Sequence, residues 1–135
     1  GGEGNGGIIY PDSHYGRDAL VGVAMFLSLL TEKKMKVSEL RASYPSYFMS
    51  KKKVQLVKGM PVDAILEDIH TKYKSEEVTS IDGIKIDFAD QCVHMRKSNT
   101  EPIIRIYTEA PSQKTADDLA DRFIAELEAI AAQHA

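Results

Sequence analysis

The feature that most constrains this chain is the Asp82-Gly83 dipeptide, set between two short apolar-alternating runs at residues 78–81 and 84–88. Asp-Gly between such runs is a strong two-residue hairpin signal, because the favoured hairpin turns need positive φ at their centre. A hairpin forces its two strands to be antiparallel. Two more alternating runs follow, at 92–96 and 103–108, and an earlier one spans 53–57. Helical spacing appears on either side of the hairpin. Pro61 suits a first helical turn, and Val62, Ile65, Leu66, Ile69 and Tyr73 then fall on one face. After Pro111, Ser112 is a candidate cap, and Ala116, Leu119, Ala120, Phe123, Ile124, Leu127 and Ile130 line one side of a last helix. From Tyr44 onward the order reads β-α-β-β-β-α. This is an α+β unit, a mainly antiparallel four-stranded sheet with two helices on one face.

The first 43 residues are different. Residues 8–10 read as a short strand or an extended exit, and Pro11 to Gly16 is turn chemistry. Asp18 can cap a helix running to about residue 30. That helix is apolar nearly all round, so it should be buried on more than one side. A short second helix starts at Val37 and ends before Pro45. The expected division is 1–43 and 44–135. The glycine-rich start without Met predicts a piece cut from a longer protein.

Several function classes are disfavoured. The net charge is −3 over 135 residues, against the strongly basic face of a nucleic-acid binder. Lys51-Lys52-Lys53 reads as a solvated strand edge. The apolar stretch at 19–30 is too short for a bilayer span, and no signal-peptide pattern is visible. Cys92 is the single cysteine, which rules out an internal disulfide and reads as a structural thiol in a reducing, cytoplasmic setting. His14, His70, His94 and His134 lack paired metal-ligand spacing.

One segment carries chemistry. Arg96-Lys97-Ser98-Asn99-Thr100-Glu101-Pro102 puts a guanidinium, two hydroxyls and an amide within five residues, and Arg105 follows on the exit strand. The guanidinium fork matches phosphate oxygens, and successive N–H groups of a tight turn can form an anion nest. The same residues are also ordinary turn composition. Arg105 either points back to the same pocket or pairs with a carboxylate such as Glu109. Gly2-Glu3-Gly4-Asn5-Gly6-Gly7 is either a ligand loop, with Glu3 and Asn5 bonding hydroxyls, or a flexible terminus.

These two loops together resemble those of the α-D-phosphohexomutases. The segment 2–7 is similar to that family's sugar-binding loop, Gly-Glu-x-Ser-Gly-His, and 96–102 with Arg105 is similar to its phosphate-binding loop. Asp82-Gly83-Ile84-Lys85 and Tyr107-Thr108-Glu109-Ala110 fit the same pattern. The resemblance implies the end of domain 3, a helical remnant of an α/β domain, followed by a domain 4 of the TATA-box-binding-protein-like fold. It implies a parent enzyme that interconverts hexose 1-phosphates and 6-phosphates. There a domain 1 phosphoserine donates the phosphoryl group, and a Mg²⁺ on an Asp-rich loop of domain 2 neutralises charge. Carried across, Glu3 and Asn5 would contact the sugar, and Arg96, Ser98, Asn99, Thr100 and Arg105 the phosphate. The partners implied are a phosphosugar and the missing N-terminal domains, with self-association through the apolar helix as a further expectation. Asn5 stands where many members have Ser, and Gly7 where they have His. That form resembles a branch with archaeal-type phosphoglucosamine and phosphomannose mutases. The chain contains neither a Thr-Ala-Ser-His serine loop nor an Asp-Gly-Asp metal loop, so by itself it is expected to be inactive. A stand-alone phosphate-binding module without enzyme activity is the alternative.

Overall fold

A computed structural model of the chain describes residues 1–2, 6–56, 59–98 and 101–134. It divides into two compact units, Gly1–Pro45 and Ser46–Ala135.

In the first unit, α1 spans Ala19–Lys33 and α2 Val37–Ser43. Asp18 caps α1, its carboxylate accepting from the Leu20 and Val21 N–H groups. The segment before it forms only isolated bridges, Gly2 with Ile8 and Tyr10 with His14. Gly22 sits on the first turn of α1, and a Cβ there would lie 2.7 Å from Ile8 Cγ1, so glycine lets the extended segment cross close to the helix. The expectation that α1 is buried on more than one side does not hold. None of its residues is buried, and Leu20, Val23, Met25, Phe26 and Leu27 are exposed. The reason is simple: an apolar helix needs a second layer, and this unit's described residues contain no sheet to provide one.

The second unit is built on β1 (Phe48–Gln55), α3 (Val62–Lys72), β2 (Glu77–Thr79), β3 (Ile84–Asp87), β4 (Cys92–Lys97), β5 (Ile103–Ala110) and α4 (Gln113–Gln133). The strands form one antiparallel sheet in the order β1-β5-β4-β3-β2. The class is the one read from the sequence, α+β with both helices on one face. The sheet has five strands rather than the four of the β-α-β-β-β-α order, because each of the five alternating runs forms a strand of its own, with Glu77–Thr79 at the edge beside β3.

Alternation decides which face the helices cover. Ile84 and Ile86 on β3, Val93 and Met95 on β4, and Ile104 and Ile106 on β5 are buried with Ile65, Leu66 and Ile69 of α3 and Leu119, Phe123 and Leu127 of α4. Burying a side chain such as Phe123 completely contributes about 3 kcal/mol. Thr108 is buried among them, and its hydroxyl donates to the Ala116 carbonyl at 2.7 Å, which ties β5 to the first turns of α4. Ser112 caps α4, its hydroxyl accepting from the Thr115 N–H. Tyr73 joins the two helices: its hydroxyl donates to Glu126 at 2.8 Å and accepts from Arg122 at 2.6 Å.

The other face of the sheet is not covered by α3 or α4 and carries the polar half of each strand. Register places Lys53 opposite Arg105, and Arg105 opposite Arg96. β1 is an edge strand, as Lys51-Lys52-Lys53 suggested. The hairpin forms where Asp82-Gly83 indicated, but its loop is wider than two residues. The last pair of β2 and β3 is Thr79 with Lys85, and Ile81 is 94% exposed rather than in a strand. Gly83 explains this. It has φ +75°, and a Cβ built on it would stand 2.2 Å from the Met95 carbonyl oxygen. The loop opens to lay Gly83 against the backbone of β4 instead of turning tightly.

Candidate anion-binding site

The β4–β5 connection lies at the end of the sheet where β3 and β4 pair through Ile84 and Met95. That pairing brings the hairpin loop beside Arg96. A cavity of about 440 Å³ opens here, and Arg96, Ser98 and Arg105 all line it. These three come from the sequence reading. Asn99 and Thr100, read as further phosphate contacts, lie outside the described residues, as do Glu3 and Asn5 of the proposed sugar loop.

Strand geometry explains why Arg96 and Arg105 converge. They are directly opposed across the β4–β5 ladder, so their side chains leave the same face within about 5 Å of each other. Two opposed cations repel unless an anion lies between or beside them. Arg96 has such an anion: its Nη1 donates to Asp82 Oδ2 at 2.7 Å. That bond raises the guanidinium pKa still further, so the charge is permanent. Arg105 makes no ion pair with any described residue, and in particular does not take up Glu109.

Lys97 also lines the cavity, and its Nζ donates to Asp63 Oδ1 at 2.6 Å. Ser98 closes the turn, its N–H donating to the Ile103 carbonyl at 3.0 Å. The floor is completed by Leu66 and Gly83. Three cations and a hydroxyl against two carboxylates suit a compact dianion. Lys97 can turn from the exposed Asp63 to the ligand, while Arg96 can stay on Asp82 and still present its remaining N–H groups.

Asp63, Asp82 and Gly83 were not read as site residues. Asp82-Gly83 reads in the sequence as a hairpin turn and as part of a segment that fits the family pattern, with no role in the site. The register of β3 against β4 could have found them, since pairing Ile84 with Met95 puts residues 82–83 next to Arg96. His94 does not line the cavity. Its Nε2 lies 2.6 Å from the Asp82 carbonyl oxygen. Burial pushes the Cys92 thiol pKa up, which leaves it protonated and structural.

The described residues do not fit a magnesium site. Mg²⁺ takes six oxygen ligands in near-octahedral order. No group of three His, Cys, Asp or Glu side chains converges among the described residues, and both cavity carboxylates are engaged by cations. No described helix is long and apolar enough to cross a membrane.

Residues 31–126 match the family model described as phosphoglucomutase/phosphomannomutase, C-terminal domain, and residues 1–48 match that family's alpha/beta/alpha domain III. The chain therefore belongs to the phosphoglucomutase/phosphomannomutase family, as a C-terminal segment of it. A phosphoglucosamine/phosphogalactosamine mutase of Sulfurisphaera tokodaii is 39% identical over 88% of the chain and 27% of its own length. A phosphoglucomutase/phosphomannomutase of Thermococcus kodakarensis is 38% identical over 95% of the chain and 28% of its own length. Among solved structures, a phosphoglucomutase/phosphomannomutase family protein of Burkholderia thailandensis superposes with a TM-score of 0.68 at 26% identity, over 96% of this chain and 28% of that one. The chain thus spans little more than a quarter of the relatives it matches.

Proposed function

We propose that this chain is the substrate-holding C-terminal part of a phosphohexomutase that interconverts hexose 1-phosphates and 6-phosphates through a phosphoserine. Its own task is to hold the phosphate that does not react. The observation that carries this reading is the convergence of Arg96, Ser98 and Arg105 on one cavity. Arg96 and Arg105 supply charge from adjacent strands, and Ser98 supplies a neutral donor at the turn. Asn99 and Thr100 are assigned to the same phosphate, and Glu3 and Asn5 to the sugar. Holding the far phosphate contributes binding energy remote from the reacting oxygen and orients the sugar for transfer.

Phosphoryl transfer also needs a nucleophile and neutralisation of the moving charge. Both are assigned to the rest of the longer protein, as a phosphoserine and a bound Mg²⁺. The N-terminal domains are also assigned the exposed apolar face of α1. Without them that face favours association of the chain with itself.

Calorimetry on the 135-residue chain with glucose 1-phosphate, alongside a turnover assay, tests this reading. Weak binding that Arg96→Ala abolishes, with no mutase turnover, is the expected result. Turnover, or binding indifferent to Arg96, would contradict it.

A further inference from the structure

Asp82 is absent from the motif that carries the phosphate reading, yet it is the residue that holds Arg96. The loop at 80–83 is fixed to β4 by three separate contacts. Gly83 lies against its backbone, so closely that an added Cβ would stand 2.2 Å from the Met95 oxygen and 3.0 Å from Arg96 Cα. His94 Nε2 lies 2.6 Å from the Asp82 carbonyl. A carbonyl only accepts, so Nε2 is the protonated nitrogen and the donor. Finally, the Asp82 carboxylate accepts from Arg96 Nη1 at 2.7 Å.

The geometry of that last bond matters. A guanidinium binds phosphate best through two parallel N–H groups. Asp82 occupies Nη1 alone, and Arg96 Nε and Nη2 bond to no described residue. One corner of the fork is therefore held while its Nε–Nη2 edge stays available. A long side chain 41% exposed at the end of a strand would otherwise sample many rotamers, and a ligand would have to freeze it.

We propose that Asp82 is the positioning residue of this pocket. It acts on the anion only through Arg96, with His94 and Gly83 fixing Asp82 in turn. The proposal rests on the reading of the cavity as a phosphate holder. It has a clear rival in the same geometry: a carboxylate beside an anion site can act as a competitor, and removing it would then tighten binding.

Inorganic phosphate titrated into the ¹⁵N-labelled 135-residue chain separates the two. Asp82→Ala is expected to weaken phosphate binding about three- to tenfold, the range for freezing one long side chain. In the same variant the Arg96 Nε–Hε resonance should move towards that of a free arginine before any ligand is added. Asp82→Asn keeps an acceptor oxygen for Nη1 and should return both readouts to within about twofold of the parent chain. His94→Ala leaves Asp82 in place and should weaken binding in the same direction, which keeps the test decisive if Asp82→Ala folds poorly. Equal or tighter binding in Asp82→Ala, or failure of Asp82→Asn to rescue, overturns the proposal. If Arg96→Ala weakens binding and Asp82→Ala does not, only this inference fails. If Arg96→Ala has no effect, the phosphate reading itself fails.

Discussion

Arg96 and Arg105 stand directly opposite each other across the β4–β5 ladder, and Lys53 stands opposite Arg105 on the other side. Like charges opposed in a sheet cost a few tenths of a kcal/mol or more each. Among the described residues, only the Arg96 charge is met by a carboxylate, Asp82. A row of this kind opposes folding and favours an anion. Arg105→Gln should therefore separate the two properties. Its melting temperature should equal or slightly exceed that of the parent chain, while phosphate affinity falls by about 1.5 kcal/mol, roughly tenfold. Thermal melts and calorimetry on the same samples check this. A variant that melts lower and still binds would make Arg105 a structural residue.

Gly83 is the position where the backbone leaves no choice. Its φ of +75° and the 2.2 Å approach of a Cβ to the Met95 oxygen together forbid a side chain. Gly83→Ala should cost at least about 2 kcal/mol of stability, read by denaturant unfolding. Gly59, also at positive φ, has open space around it, so Gly59→Ala carries only the conformational penalty of about 1 kcal/mol.

The Tyr73–Glu126 contact predicts the acid limb of stability. Burial alone would raise the Glu126 pKa, but hydrogen bonds from Lys72, Tyr73 and Arg122 outweigh it and hold the carboxyl below the ordinary glutamate range. A carboxyl depressed in the folded state stabilises fully above its unfolded pKa, about 4.3. That stability is lost as the pH falls from there through the lower folded value. Glu126→Gln should flatten the loss of stability below about pH 5 and lower stability at neutral pH. Urea unfolding between pH 3 and pH 7, values chosen to bracket about 4.3, measures both. An unchanged acid limb would show that Glu126 titrates alike folded and unfolded.

The helices were the most legible part of the fold. Ala116, Leu119, Ala120, Phe123 and Leu127 are buried along α4, and Ile124 and Ile130 pack at its border. Their period is local, so a single helix reveals it. The strands were legible in place and not in extent. β1 begins at Phe48, before residue 53 where alternation is visible, because Lys51-Lys52-Lys53 masks the pattern. Its inward positions are filled by Ser50, which is buried, and by the aliphatic stem of Lys52, whose amine reaches Asp121 at 2.6 Å. The site was half legible. Arg96, Ser98 and Arg105 share one short stretch of chain. Asp82 and Asp63 reach the cavity from other elements, and only the pairing of β3 with β4 and the placing of α3 bring them there. The exposed face of α1 was misread because apolar composition reports the need for cover and says nothing of what supplies it.

The central claim is that the Arg96 turn holds a phosphate monoester, and amide chemical shifts test it most directly. In ¹H–¹⁵N spectra of the 135-residue chain, adding glucose 1-phosphate should move the amides of Arg96, Lys97, Ser98 and Arg105. Those of the Tyr73–Glu126 region should stay still, and Arg96→Ala should abolish the movement. Amides at 96–105 that remain in place at saturating ligand, or that move equally in Arg96→Ala, would contradict it.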